Sequence, residues 1–100
     1  VRIDKSVTII PRKAFYGREH LVYVEFHDGI EEIWNWAFSR CISLKSVKVL
    51  GVKVIKMRAF QSCSGLTEVE FGVMLETIEE AAFHQCCSLR NITMPCVRNI

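Results

Sequence analysis

The stretch Ala82-Phe83-His84-Gln85-Cys86-Cys87-Ser88-Leu89-Arg90-Asn91-Ile92-Thr93-Met94 is one copy of a pattern that occurs four times in the chain. Each copy contains an Ala-Phe pair, and successive pairs are separated by 23, 22 and 23 residues. The four pairs are Ala14-Phe15, Ala37-Phe38, Ala59-Phe60 and Ala82-Phe83. Self-similarity at a fixed period of this size indicates a repeat architecture.

Apolar residues recur at fixed distances from the four Phe residues. The positions eight and five before the Phe, and six, nine and eleven after it, are apolar in every copy. They are Val7, Ile30, Val52 and Leu75; Ile10, Ile33, Ile55 and Ile78; Leu21, Leu44, Leu66 and Leu89; Val24, Val47, Val69 and Ile92; Phe26, Val49, Phe71 and Met94. One repeat of this size cannot bury its own apolar side, so the copies must stack. Stacking predicts a parallel sheet with about 4.8 Å between neighbouring strands and one continuous core.

The chain of 100 residues is predicted to form a single repeat domain over residues 1–100. It holds about four full repeats of 22–23 residues, and partial repeats at both ends that include Val1, Ile3, Val97 and Ile100. Since both ends cut through a repeat, we expect the chain to be a piece of a longer array. Solenoids need capping repeats, so we also expect contact with neighbouring repeats or end-to-end self-association.

Composition narrows the functional classes. Half of the residues are hydrophobic, 24% are charged and the formal net charge is +2. This is not the composition of a disordered chain, and the charge is too small to indicate nucleic-acid binding. No apolar run reaches the roughly 18–20 residues of a membrane helix, so membrane insertion by this segment is not expected. No pattern in the sequence indicates a cofactor.

The repeat has a recognisable motif. Residues Ile55 to Phe71 fit Ile-x4-Phe-x2-Cys-x2-Leu-x2-Val-x-Phe, with Ala before the first Phe. Cys41 and Cys86 occupy the Cys position in the second and fourth repeats, whereas Arg18 replaces it in the first. This motif resembles the BspA-like (Treponema-type) leucine-rich repeat over essentially the whole chain.

The resemblance implies an α/β fold: a right-handed curved leucine-rich-repeat solenoid with a parallel concave β-sheet and short helical, 3₁₀ or extended segments on the convex side. Residues such as those from Glu79 to Gln85 tolerate a helix but are too few for an independent one, which favours one or two turns. Family members are common on the surfaces of host-associated bacteria. The resemblance therefore also implies a cell-surface or secreted location, and a role in adhesion or the binding of a host or other partner protein.

Three of the five cysteines, Cys41, Cys63 and Cys86, occupy one column of the stack. The repeat spacing of about 4.8 Å permits a disulfide between neighbours. We favour a reduced, buried thiol ladder, because free cysteine is among the most buried residue types. Cys87 and Cys96 lie off the column, and no ligand spacing indicates a zinc site.

No catalytic constellation is visible, and we expect the chain not to be an enzyme. His20, His27 and His84 fall at three different repeat positions, so they do not converge in a stack. His84 is close to Cys87 in sequence, but no orienting group or oxyanion donor accompanies them.

Outward-facing strand residues form rows across the predicted sheet. The candidate partner-binding residues of these rows are Tyr23, Glu25, His27, Ser46, Lys48, Leu50, Glu68, Glu70, Asn91 and Thr93. The row between the Val and Phe columns alternates in charge and reads Arg2, Glu25, Lys48, Glu70 and Thr93. The flanking rows read Tyr23, Ser46, Glu68 and Asn91, and then Asp4, His27, Leu50, Gly72 and Pro95. We interpret the charged row as an ionic ladder that fixes register; the alternative is a row that binds a ligand. Tyr23 and Leu50 are candidate apolar anchors for a partner.

Two further candidates, Trp34 and Trp36, lie outside the outward rows, and Asn91 of the second row is part of a short motif. Trp34 and Trp36 are the only tryptophans and occupy columns that are mostly polar, so at least one is expected to be exposed. They either contact a partner or cover the flank of the stack against stems such as that of Lys13. Asn91-Ile92-Thr93 is a glycosylation sequon, for which chance occurrence is the favoured interpretation.

These patterns predict a non-enzymatic protein–protein interaction module that binds its partner through the concave sheet. The alternative is a structural spacer within a larger surface or intracellular protein, with no ligand of its own. The residue types on the outward rows do not identify the partner.

Overall fold

The computed structural model describes residues 1–93, which form two parallel sheets. The short sheet has the order β1-β2-β4-β6 and consists of β1 (Ile9–Ile10), β2 (Glu32–Ile33), β4 (Val54–Ile55) and β6 (Thr77–Ile78). The long sheet has the order β3-β5-β7 and consists of β3 (Ser46–Val49), β5 (Glu68–Phe71) and β7 (Asn91–Thr93). Parallel bridges from Arg2 to Glu25 and from Tyr23 to Ser46 continue the long sheet towards the first repeats. The chain is therefore a parallel β-solenoid, in which each repeat adds one turn.

Residues 1–93 contain no helix, so the predicted α/β class and the helical or 3₁₀ turns are wrong. The extended alternative describes the convex side, where two-residue strands alternate with turns. Each repeat places two residues in the left-handed region, for example Trp36 (φ 56°) and Arg40 (φ 65°), and a right-handed helix cannot pass through such residues. Backbone bonds run between turns instead: the Phe38 amide donates to the Ala59 carbonyl at 2.8 Å.

The predicted apolar columns form the core between the two sheets. Four Phe rings stack nearly parallel, with centroid separations of 4.9, 5.2 and 5.3 Å along Phe15, Phe38, Phe60 and Phe83. In β3 and β5 the Val and Phe columns are buried and the residues between them point outward, as the alternation predicts. Ile92, in β7, differs from its counterparts in β3 and β5 and is 43% exposed.

Cys41 and Cys63 of the cysteine column are buried as predicted, whereas Cys86 is half-buried, and the three thiols donate hydrogen bonds between turns. Cys41, Cys63 and Cys86 donate to the carbonyl oxygens of Phe15, Phe38 and Phe60 at 3.2, 3.0 and 3.1 Å. In the first repeat, the guanidinium of Arg18 lies 5.7 Å from the centre of the Phe15 ring, in the place of a thiol. Each thiol thus joins its own turn to the preceding one.

Thiol labelling should distinguish the buried cysteines from the exposed one by their rates of reaction. Burial raises the pKa of Cys41 to about 11, and the neighbouring Cys86 thiol together with burial raises that of Cys63. Because the thiolate is the nucleophile, we expect Cys87, which is exposed, to react with iodoacetamide at pH 8 at least about tenfold faster than Cys41 or Cys63. Peptide mass spectrometry of a Cys96→Ser variant would measure the rates. Equal rates for Cys41 and Cys87 in the folded protein would contradict the buried ladder.

The second predicted partial repeat lies outside the described residues. The residues outside the described range include Val97 and Ile100 of this partial repeat, Met94 of the fourth full repeat, Pro95 of the third outward row, and Cys96.

Candidate functional site

The outward face of the long sheet carries the candidate site. Side chains alternate between the two faces along β3, so that Ser46 and Lys48 point outward while Val47 and Val49 are buried. A depression of about 490 Å³ lies over this face. Its polar and apolar lining comes from three successive repeats, and consists of Tyr23, Glu25, Asp28, Ser46, Lys48, Leu50, Glu68 and Glu70, with parts of Val24, Phe26 and Val47 beneath.

Strand register brings most of the predicted site residues together. Ser46 pairs with Glu68, and Glu68 with Asn91. Lys48 pairs with Glu70, and Glu70 with Thr93. Tyr23 and Glu25 join the same rows through the isolated bridges. Asp28, which also lines the depression, was not among the predicted residues; the signal available was that it follows His27 of the third row.

The charged row forms less of a ladder than predicted. Arg2 and Glu25 make one ion pair, with Nε and Oε1 3.7 Å apart and both side chains largely exposed. Within residues 1–93, Lys48 makes no ion pair with Glu25 or Glu70, although it lies between them in the register. Exposed pairs gain little free energy and lose side-chain entropy, so hydration competes with pairing here. Lys48 and Glu70 therefore remain available to a partner.

Tyr23 and Leu50 differ in accessibility. Tyr23 is 57% exposed, and its backbone carbonyl accepts a hydrogen bond from the Val1 nitrogen at 3.2 Å. Leu50 is half-buried and contributes to the wall of the depression. Tyr23 is thus the larger exposed apolar surface of the face, and its phenol ring combines apolar area with a hydrogen-bonding tip.

His27 is held by the backbone. Its Nδ1 accepts a hydrogen bond from the Gly29 amide at 3.0 Å, which leaves Nε2 as the donor to the Asp4 carbonyl oxygen at 2.9 Å. The Asp4 carboxylate in turn accepts hydrogen bonds from the hydroxyl and the amide of Ser6, which lower the pKa of Asp4. His27 therefore joins its own turn to Asp4 of the preceding turn, and both of its ring nitrogens are engaged.

Trp34 and Trp36 lie away from this face, directly after β2 of the short sheet. Both are half-buried, so the expectation that at least one is exposed is wrong. The Trp34 indole N–H donates to Glu32 at 2.7 Å, and the Lys56 ammonium lies 4.9 Å from its ring. Arg12 lies 5.3 Å from the Trp36 ring. These cations cover the rings, in agreement with the flank-covering alternative.

The described residues show no arrangement suited to metal binding. No group of three or more His, Cys, Asp or Glu side chains within residues 1–93 is placed to hold a metal ion. The acceptor of the sequon, Asn91, is exposed on β7. Residues 1–93 also contain no helix that is long and apolar enough to cross a lipid bilayer.

Sequence comparison assigns the family. The family model described as BspA type leucine rich repeat region matches residues 1–100. The chain belongs to this family. Proteins built from leucine-rich repeats are generally non-enzymatic protein-interaction modules, and this BspA-type chain shares their architecture. No curated protein matches the sequence.

Three solved structures resemble this BspA-type chain along nearly its whole length. A leucine rich repeat protein of T. pallidum is 33% identical, with a TM-score of 0.89 over 95% of this chain and 45% of that one. A leucine rich cell surface protein of Faecalibacterium prausnitzii is 26% identical, with a TM-score of 0.82 over 93% of this chain and 31% of that one. A leucine-rich repeat protein of Bacteroides ovatus is 28% identical, with a TM-score of 0.82 over 93% and 28%. The chain spans less than half of each of these proteins.

Proposed function

We propose that this chain is a recognition module that binds a partner protein through the outward face of the long sheet, as part of a cell-surface or secreted protein engaged in adhesion. The observation that carries the proposal is the depression that three repeats share, with Tyr23 exposed at its side. The F. prausnitzii neighbour, described as a cell surface protein, supports the location.

The composition of the face suits protein recognition. An exposed aromatic side chain, Tyr23, and a half-buried aliphatic one, Leu50, line the same depression together with charged side chains. Interface hot spots combine such anchors with a polar rim that excludes water. The outward residues of neighbouring repeats differ in size and charge, whereas the core columns keep the strands in place. Specificity can therefore reside in these rows without affecting the stack.

The test compares two variants that remove similar apolar surface from different faces. Tyr23→Ala/Leu50→Ser alters the depression; Tyr16→Ala/Ile42→Ser alters residues that are 42% and 45% exposed and do not line it. Each protein is immobilised and incubated with purified extracellular-matrix proteins and with a bacterial surface-protein extract, and the retained proteins are quantified by mass spectrometry. We expect the first variant to lose at least about tenfold in retention of the partner, since hot-spot truncations have effects of that order.

The control should retain its partner, and both variants must give the far-ultraviolet circular dichroism of the parent chain. Equal recovery of every protein by the parent and the Tyr23→Ala/Leu50→Ser variant would contradict the proposal. That result would favour the alternative that the chain is a structural spacer, because a spacer requires only the stacked repeats.

A further inference from the structure

A second charged surface lies on the flank next to the short sheet. Arg12 and Lys13 follow β1, Trp34 and Trp36 follow β2, and Lys56 follows β4, so three successive turns bring them together. The Cζ atom of Arg12 and the Nζ atom of Lys13 lie 5.3 and 5.7 Å from the centroid of the Trp36 ring. The Nζ atom of Lys56 lies 4.9 Å from the centroid of the Trp34 ring. We call these five residues the cation–indole cluster.

The three cations of the cluster have no carboxylate partner in the part of the chain that the structure describes. The ion pairs there are Arg2–Glu25 and Lys53–Glu31, both outside the cluster. Glu32 and Glu79 accept hydrogen bonds from donors other than these cations: Glu32 from the Trp34 indole at 2.7 Å, and Glu79 from the Met57 amide at 3.2 Å. Indole rings attract cations through their π-electron faces. The rings therefore hold the charges in position without neutralising them.

The spacing of the cations fits a linear polyanion that runs along the stack. Neighbouring turns are about 4.8 Å apart, so Arg12 and Lys56, two turns apart, present charges separated by roughly 10 Å along the stack. Arginine offers a planar fork of donors that matches an oxyanion, and lysine offers a compact point charge. A ligand that carries anionic groups at regular intervals can engage both without bending.

The covered rings discriminate between classes of polyanion. Proteins that bind single-stranded nucleic acid stack bases on open aromatic faces. Here cations already lie over the faces of Trp34 and Trp36, so the surface offers charge and hydrogen-bond donors but little room for stacking. We propose that the cation–indole cluster is a binding site for sulfated polysaccharide, separate from the protein-binding face of the long sheet.

The chain contains its own reporter for this site. Trp34 and Trp36 are its only two tryptophans, and both belong to the cluster. Heparin placed against the cations changes the surroundings of both indoles. We therefore expect heparin to change the tryptophan emission of the 100-residue chain in a saturable way at about 50 mM salt. Binding should weaken linearly in a plot of log affinity against log salt, as counterion release requires.

Two variants with the same loss of charge test the location. Arg12→Gln/Lys56→Gln removes one cation from each indole, whereas Lys45→Gln/Arg90→Gln removes one lysine and one arginine from exposed positions outside the cluster. Calorimetric titration with heparin should show at least a tenfold loss of affinity for the first variant. Its salt slope should become shallower by about 1 to 2, because each lost contact releases about one counterion fewer. The control should stay within about threefold of the parent.

Several results would overturn the proposal. They are the absence of heparin binding, binding without a change in tryptophan emission, equal losses in the two variants, and equal or tighter binding of polyuridylate or polyglutamate at the same salt concentration. The last result would assign the flank to nucleic acid or to acidic protein instead. Chondroitin sulfate and unsulfated hyaluronate are the last two probes. We expect chondroitin sulfate to bind more tightly than hyaluronate, whose only anionic groups are carboxylates. None of these outcomes depends on the Tyr23 and Leu50 experiment.

Discussion

The Phe60→Ala variant is expected to lose about 3–5 kcal/mol in free energy of unfolding, the usual cost of removing a buried aromatic ring. Phe60 is fully buried, and its ring lies between those of Phe38 and Phe83 at centroid distances of 5.2 and 5.3 Å. A cavity at this position interrupts the ring column in the interior of the stack. Because domains are stable by only about 5–15 kcal/mol, the loss is a large part of the total. Urea unfolding followed by circular dichroism at 25 °C measures it.

Phe83→Ala is the matched control for the position in the stack. Phe83 is half-buried, and Phe60 is its one parallel stacking partner within residues 1–93. Its removal should therefore have about half the effect of Phe60→Ala. Phe60→Leu keeps most of the volume and should remain folded even if Phe60→Ala does not. A Phe60→Ala loss no larger than that of Phe83→Ala would contradict the continuous ring column.

The stack itself could be predicted because it depends on columns that the sequence repeats four times. Leu44 and Leu66, or Val47 and Val69, occupy the same place in consecutive turns, and all four are buried. Such periodicity follows from burial alone and needs no knowledge of partners. The pairing of Lys48 with Glu70 follows from the same alignment.

The convex side could not be predicted, because local propensity there is overridden by contacts between turns. Ala59 and Ala82 are good helix formers, yet their carbonyls accept amide bonds from the preceding turn. Left-handed backbone at Lys13, Arg58 and Ala81 has no sequence signature, since glycine is the residue expected there. The helical prediction fails for this reason.

The register of the outward rows could be predicted from the alignment of the repeats, but the interactions of their side chains could not. The rows place Glu25 and Lys48 on neighbouring strands, but whether two exposed side chains pair depends on hydration and rotamers. Trp34 and Trp36 show the converse. Their columns are mostly polar in the other repeats, yet both rings are half-buried, with Arg12 of the preceding turn over Trp36 and Lys56 of the following turn over Trp34. A side chain's environment in a solenoid is set by its neighbours one repeat away.

Two surfaces with different chemistry thus lie on one stack. The face of the long sheet combines Tyr23 with mixed charges around a depression, whereas the flank of the short sheet presents cations held on indole rings. The core columns separate the two surfaces, so substitutions on one leave the other intact. This separation allows the two proposals to be tested independently.

The Gly72→Ala variant is expected to lose about 2–3 kcal/mol in free energy of unfolding, at the upper end of the range for overpacking. A Cβ atom at Gly72 would lie 2.0 Å from the carbonyl oxygen of Leu50 and 2.8 Å from its carbon. The obstacle is backbone rather than a flexible side chain, so two adjacent turns must move apart. Urea unfolding under the same conditions as for Phe60→Ala measures the loss.

The Gly17→Ala variant is the control for Gly72→Ala, because it adds conformational strain without a steric clash. Gly17 has a φ of 72°, and a Cβ there would meet no atom within 4 Å, so its replacement adds only the strain of a left-handed alanine, about 1 kcal/mol. A Gly72→Ala loss that does not exceed the Gly17→Ala loss would show that the turns are not in contact at this point. Because Leu50 also lines the depression, a shift of its backbone should weaken partner binding as well as the stack. Glycine at position 72 therefore serves both the packing of the turns and the shape of the proposed binding face.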